Sequence, residues 1–126
     1  MALLSLFACR DPNSCEPFDP TKPDPPAPPV PACPANGWRS DCYAYPQLVS
    51  FRWQAVSGAQ FYQLQIHTDS LFPSPHPGLR VYQASVDWSM QGCGLYYWRV
   101  RAASSDWNNY TDWSDPFWFS LPNPGR

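Results

Sequence analysis

Residues 94–102 read Gly-Leu-Tyr-Tyr-Trp-Arg-Val-Arg-Ala and alternate with period two. One side of the alternation is apolar and the other carries both arginines: Tyr96, Trp98, Val100 and Ala102 against Tyr97, Arg99 and Arg101. This pattern is typical of a β-strand that buries one face and turns the other to water or to a partner. Because no other stretch combines so much aromatic and β-branched character, we interpret it as the central strand of a β-sandwich.

The composition leaves room for one domain and a tail in 126 residues. Charged residues make up only 14% of the chain, its net charge is −2 and Lys22 is the single lysine, which argues against nucleic-acid binding. Most of the 17 prolines precede residue 47, whereas most of the seven tryptophans follow it. The chain also lacks a Cys-x-x-Cys pair, so we predict no zinc site or other cofactor.

Short alternating segments separated by turn residues recur along the second part of the chain. We predict seven strands, at residues 30–33, 48–53, 62–67, 79–83, 86–90, 94–102 and 117–119. In the fifth of them, Val86, Trp88 and Met90 alternate against Asp87 and Ser89. The strand lengths and turn spacings predict an all-β sandwich, and no segment has a helical period.

Four motifs, in order, resemble those of bacterial fibronectin type III domains. They are Cys-Pro-Ala-Asn-Gly at 33–37, Phe-Arg-Trp at 51–53, Ser-Gly-Ala-Gln-Phe-Tyr-Gln-Leu-Gln-Ile at 57–66 and Tyr-Tyr-Trp-Arg-Val-Arg-Ala at 96–102. The resemblance covers about residues 28–121 and implies an immunoglobulin-like sandwich of seven strands. It places Tyr96 at the family's tyrosine corner, where the hydroxyl bonds to nearby backbone. The cysteines, a proline-rich loop near residue 75 and the extra aromatic residues depart from the family.

The amino terminus resembles the lipobox of bacterial lipoproteins. Leu-Phe-Ala at 6–8 is followed by Cys9, which the resemblance makes the lipid-attachment residue, with residues 1–8 as a signal-like remnant. A positively charged segment ahead of the apolar run is missing. A start upstream of Met1 and an ordinary apolar amino terminus therefore remain open alternatives.

Residues 9–27 form a proline-rich tail that precedes the predicted sandwich at 28–121, and residues 122–126 form a short carboxy-terminal tail. Proline excludes a helix or a central strand there. We expect polyproline II from Pro20 to Pro31, a semi-rigid spacer on the order of 35 Å long.

Lipid attachment at Cys9 would leave four of the five cysteines for disulfides in an oxidising compartment. The fibronectin resemblance places Cys42 and Cys93 at the same end of the sandwich and favours their pairing, with Cys15–Cys33 pinning the tail. The alternative is Cys33–Cys42 with Cys15–Cys93, and the sequence leaves the choice open.

Residues 110–114 read Tyr-Thr-Asp-Trp-Ser and look like a degenerate Trp-Ser-x-Trp-Ser motif. In receptor modules of this fold, the tryptophan of that motif stacks with arginines of the central strand. The resemblance therefore implies a structural ladder of Trp113 with Arg99 and Arg101.

No catalytic constellation is recognisable in the sequence. Paired carboxylates, a glycine-rich phosphate loop and a nucleophile elbow are all missing, so we predict that the protein is not an enzyme. We expect a cell-envelope lipoprotein, lipid-anchored at the outer membrane or periplasmic face, that serves as an accessory subunit of a larger membrane or surface assembly. Its predicted partner-binding residues share the outward phase of their strands: Gln63, Gln65, Tyr97, Arg99, Arg101 and Trp118. The alternative function is a carbohydrate-binding module that uses exposed Trp38, Trp107 and Trp118.

Overall fold

The computed structural model describes residues 21–42, 47–74 and 78–123 in full, and residues 7–11 and 14–17 by their backbone. Ten strands are found in these residues: β1 Phe7–Asp11, β2 Ser14–Pro17, β3 Pro31–Cys33, β4 Trp38–Arg39, β5 Gln47–Trp53, β6 Phe61–His67, β7 Leu79–Val81, β8 Ser85–Met90, β9 Gly94–Ala103 and β10 Phe117–Leu121.

Two sheets build the sandwich, a five-stranded sheet in the order β4-β10-β9-β6-β7 and a three-stranded sheet in the order β3-β5-β8. The predicted all-β sandwich is therefore confirmed. The sequence analysis missed β4, which is only two residues long and pairs in parallel with β10. It also missed β1 and β2, which pair with each other and place Cys9 opposite Cys15 in the backbone register. Segments this short carry too few alternations to be recognised.

Strand β9 lies at the centre of the larger sheet, antiparallel to β6 and β10. Three of its inward side chains, those of Trp98, Val100 and Ala102, are completely buried. Phe51 of β5 contacts Trp98 edge-on, with ring centroids 5.2 Å apart, and contacts Phe119 of β10 at 5.8 Å. These edge-to-face contacts join the two sheets, and each adds roughly 0.5–1.5 kcal/mol to the burial of the rings.

The Tyr96 hydroxyl donates a hydrogen bond to the Gly92 carbonyl oxygen at 2.6 Å, as the fibronectin resemblance implies. Burial raises the pKa of Tyr96, so the hydroxyl keeps the proton that it donates. The bond spans the turn between β8 and β9, and Gly94, the first residue of β9, has a φ of 143°. It fixes the point at which the central strand begins.

A disulfide joins Cys42 to Cys93, whose Cα atoms are 5.7 Å apart and 51 positions apart in the chain. This pairing is confirmed, and closing a loop of that length contributes roughly 4 kcal/mol in the chain-entropy view. The bond indicates an oxidising, extracytoplasmic location. Cys33, in contrast, carries a free and exposed thiol. The predicted Cys15–Cys33 bridge is therefore wrong, as is the alternative pairing of Cys33 with Cys42.

The described part of the proline-rich tail is attached to the sandwich. Asn108 donates from its side chain to the Lys22 carbonyl at 2.8 Å and from its backbone to the Pro23 carbonyl at 3.1 Å. Pro29 is buried, and the Gln54 amide donates to the Val30 carbonyl at 2.9 Å. From Lys22 onward the predicted semi-rigid spacer thus lies against the domain, because the domain supplies donors to the carbonyls that a proline-rich segment cannot pair internally.

The part of the chain that the structure describes contains no helix of the length and apolar character needed to cross a membrane.

Substitution of Trp53 tests whether this residue lies in the core. It is 5% exposed, and its ring lies 5.4 Å from that of Tyr62 and 6.5 Å from that of Trp98. We expect Trp53→Ala to lower the free energy of unfolding by roughly 3–5 kcal/mol, because the cavity removes these contacts. Urea denaturation measures the change.

Leu48→Ala on the same strand is the control, because Leu48 is 63% exposed and its truncation changes stability by no more than about 0.5 kcal/mol. If Trp53→Ala does not fold, Trp53→Phe keeps most of the ring and gives a measurable intermediate loss. An unchanged urea midpoint in both Trp53 variants would contradict the position of β5.

Candidate functional site

Arg99 and Arg101 project from β9 onto the outer face of the five-stranded sheet, where aromatic rings alternate with them. The Trp113 ring lies between the two guanidinium groups, with its centroid 4.4 Å from each Cζ. Phe72 covers the other side of Arg99 at 4.3 Å, and Tyr110 covers Arg101 at 3.8 Å. We call these five residues the ladder. Each contact contributes about 0.5–2 kcal/mol, depending on how far the cation is desolvated.

Trp113 is held in place by the residues on either side of it. The Thr111 amide donates to the Ala102 carbonyl at 2.9 Å, and the Ala102 amide donates back to the Thr111 hydroxyl at 3.0 Å. Ser114 makes the same reciprocal pair with Val100, at 2.9 and 3.0 Å. Two hydroxyl residues three positions apart thus act as an additional short strand beside β9. The sequence analysis assigned no role to Thr111 or Ser114, although their spacing around Trp113 was a usable signal.

Glutamines of β6 complete the arginine contacts. Arg99 Nε donates to Gln65 Oε1 at 2.7 Å, and Arg101 Nε donates to Gln63 Oε1 at 2.8 Å. Burial lowers the pKa of Arg99, although a guanidinium stays charged at neutral pH. The two arginines and the two glutamines were predicted to bind a partner, and they lie on the outer face as that prediction requires. Their side chains, however, are occupied by contacts within the domain.

The ladder continues toward β7 through residues that the sequence analysis did not assign. Phe61 of β6 meets Tyr110 edge-on, with centroids 6.1 Å apart, and stacks against the Arg80 guanidinium at 4.2 Å. Phe72 was missed because it lies in a loop with a φ of 47°, where no periodic pattern indicates burial. It is nevertheless only 5% exposed.

An apolar patch remains beside the ladder. It consists of Leu95, Tyr97 and Trp118, which share the outward phase of β9 and β10. Leu95 is 45% exposed and Trp118 is 41% exposed, whereas Tyr97 is half-buried. The Trp118 ring lies over Gly37, where a Cβ atom would come within 3.4 Å of it. Of the six residues predicted to bind a partner protein, Tyr97 and Trp118 are thus the two that do not take part in the ladder or its hydrogen bonds.

The three tryptophans of the predicted sugar site do not form one surface. Trp107 is only 7% exposed and packs near Gly58, so its prediction as an exposed sugar platform is wrong. Trp38 is 37% exposed and tilts against core residue Phe119 at 6.1 Å, whereas Trp118 lies on the outer face.

Cys9 and Cys15 are described by their backbone alone. The side chains of Cys9 and Cys15 lie outside the described residues, and lipid attachment to Cys9 stays a prediction. Within the described ranges, no group of three or more His, Cys, Asp or Glu side chains could hold a metal ion.

Comparison with known proteins does not identify a function. No protein-family model and no curated protein matches the chain. Among solved structures, the chain is similar to a fibronectin type III domain, the crystal structure of FN3tt. The two are 13% identical with a TM-score of 0.44, and the match covers 75% of this chain and 94% of that one.

Trp113 is the residue through which the ladder can be tested. We expect Trp113→Ala to lower the free energy of unfolding by about 2–4 kcal/mol, because it removes two cation–π contacts and a half-buried ring. The control is Trp88→Ala, which removes an indole that is 43% exposed and lies outside the ladder. Equal, small shifts of the two urea midpoints would contradict the structural role of Trp113.

Proposed function

We propose that this chain is a non-catalytic protein-binding module, an accessory subunit of a larger assembly at the cell envelope. The observation that carries the proposal is the apolar patch, in which Leu95 and Trp118 stay exposed and Tyr97 is half-buried, while the ladder covers the adjoining part of the same sheet face. Tyr and Trp are enriched in protein interfaces, and single anchor residues of these types often dominate binding.

The backbone of the patch is held by hydrogen bonds and strand pairing, which favours binding because less backbone flexibility is lost on association. Both backbone groups of Trp118 are hydrogen-bonded. Its amide donates to Asn36 Oδ1 at 2.9 Å, and its carbonyl accepts from the Gly37 amide at 2.7 Å. Tyr97 lies on the central strand, with His67 and Trp118 as its neighbours in the register.

Membrane attachment through a lipid on Cys9 is the second part of the proposal. The Cys42–Cys93 disulfide supports an oxidising location such as the bacterial periplasm or outer surface, where lipoproteins reside. Since Lys22 and Pro23 are bound to Asn108, a tether from Cys9 would end at Lys22 and hold the domain close to the membrane.

Truncation of the patch tests the docking surface. We expect Tyr97→Ala and Trp118→Ala each to weaken binding to the native partner by more than about 1 kcal/mol while the fold is retained, because neither side chain fills the core. The measurement is co-purification from solubilised native membranes with quantitative mass spectrometry.

Leu48→Ala is the matched control, since it removes an exposed apolar side chain from the other sheet. Wild-type recovery of the same partner by both patch variants would show that docking occurs elsewhere.

The anchor is tested by Cys9→Ser. We expect native protein to partition into detergent and to carry the mass of a diacylglyceryl group, and the serine variant to remain in the aqueous phase, since a thioether cannot form on a hydroxyl. Intact-mass analysis reports the modification directly. Native protein with an unmodified Cys9 would exclude the lipid anchor and leave the docking proposal standing.

A further inference from the structure

Strand β8 is the longest of the four strands at the edges of the sandwich. The other three, β3, β4 and β7, have only two or three residues. Strand β3 also begins with Pro31 and precedes Pro34, and proline lacks the amide that a further strand would need. Strand β8 has six residues and contains neither proline nor glycine. Because proteins shorten or block the sheet edges that must not pair, β8 is the edge of this sandwich that is left open to pairing.

The register with β5 decides which backbone groups of β8 face the open side. The Trp53 amide donates to the Ala84 carbonyl at 3.1 Å, and hydrogen-bonded pairs recur at every second position of an antiparallel ladder. The amides and carbonyls of Ser85, Asp87 and Ser89 therefore point away from β5. No described strand lies on that side of β8. These groups form a row of donors and acceptors that suits one further strand.

The inner side of this open edge is apolar. A gap of about 600 Å³ lies between β8 and β7. The residues that line it in the inward phase of the two strands are Leu79, Val81, Val86 and Trp88. Trp88 is 43% exposed, although Met90 has the same phase and is 5% exposed. A strand added to β8 would place its inward side chains in this gap and cover the Trp88 ring.

The outer side of the same edge carries one charge. Asp87 is the single charged residue of β8, and Ser85 and Ser89 flank it in the same phase. Asp87 Oδ1 accepts a hydrogen bond from the Ser50 hydroxyl at 2.7 Å, which holds the carboxylate on the outer face. Opposite charges on directly facing residues of neighbouring strands stabilise the pair, whereas like charges destabilise it. An arginine or lysine is therefore the side chain that suits the position facing Asp87.

We propose that β8 binds an extended segment of a partner protein, which adds a fourth strand to the smaller sheet and places a basic side chain opposite Asp87. Backbone hydrogen bonds to Ser85, Asp87 and Ser89 hold the segment, and its alternate side chains enter the gap beside Trp88. The partner segment thus alternates apolar with polar residues and has arginine or lysine near the centre of its polar phase.

A second copy of this chain fits the edge less well. Antiparallel pairing of two β8 strands about a two-fold axis through Asp87 would set two carboxylates opposite each other. The next registers on either side would leave the same carboxylates diagonal to each other. Strand β8 is also separate from the apolar patch, which lies on β9 and β10 of the larger sheet. Strand addition therefore does not depend on the docking function proposed above.

The test is NMR titration of the full chain with two synthetic seven-residue peptides that alternate valine with threonine. Lysine replaces the central threonine in one peptide and glutamate replaces it in the other. We expect the lysine peptide to bind about threefold or more tightly than the glutamate peptide. Hydrogen exchange should slow at the amides of Ser85, Asp87 and Ser89, because they gain acceptors. The amides of Val86 and Trp88 are the internal control, since they already pair with β5.

Two substitutions of Asp87 separate the backbone contribution from the charge. Asp87→Pro removes an amide that points away from β5, so the sheet is retained and strand addition is blocked. We expect this variant to lose binding of the lysine peptide. Asp87→Lys keeps the amide and reverses the charge, so it should prefer the glutamate peptide. Urea denaturation checks that both variants fold, and Asp87→Lys decides the test if the proline variant does not.

Binding of neither peptide would overturn the proposal. Unchanged exchange at the three outward amides would do so too, as would the same peptide preference in Asp87→Lys as in the wild type. Slow exchange at these amides in the free chain, together with a dimer in analytical ultracentrifugation, would assign the edge to a second copy and overturn the proposal as well.

Discussion

The hydrogen bonds that Thr111 and Ser114 make to β9 hold the outer face of the larger sheet in place. Strand β10 begins only at Phe117, so without these residues the backbone groups of Val100 and Ala102 would lack partners on that side. Each reciprocal pair uses a backbone amide and a side-chain hydroxyl, and unpaired buried backbone groups are costly. The same bonds place the Trp113 ring between the two arginines.

This arrangement explains how a half-buried row of cations is tolerated. Arg99 and Arg101 are stabilised by ring faces and by glutamine carbonyl oxygens rather than by carboxylates. A guanidinium is more weakly hydrated than an ammonium group and stacks flat, so arginine suits such a row better than lysine. The ladder stiffens the sheet and leaves the apolar patch exposed beside it.

The sequence predicted the features that depend on alternation along one strand. Trp98 and Val100 are buried and Arg99 is on the outer face, because one register decides all three positions. Features that depend on what lies opposite a strand were predicted less well. Trp88 shares the phase of buried Met90, yet it lies on edge strand β8 and is 43% exposed.

Loop residues were the least predictable, since their burial depends on tertiary contacts and not on period. Trp107 lies in a polar stretch and is buried, whereas Cys33, expected in a bridge, is exposed. The ladder itself was predictable only in part. Its central ring follows from the motif at 110–114, but Phe72 reaches Arg99 from a loop with no motif.

The attachment of the tail to Asn108 has a mechanical consequence. Strand β3 is three residues long and pairs with β5 at the edge of the smaller sheet, so tension applied directly to it would peel its pairs apart one after another. The chain is instead hydrogen-bonded at Lys22 and Pro23, ahead of β3, to Asn108, which lies in the loop that follows β9. A pull from the amino-terminal side is therefore transmitted first to the connection that follows the central strand. The short edge strand β3 is thereby shielded from load.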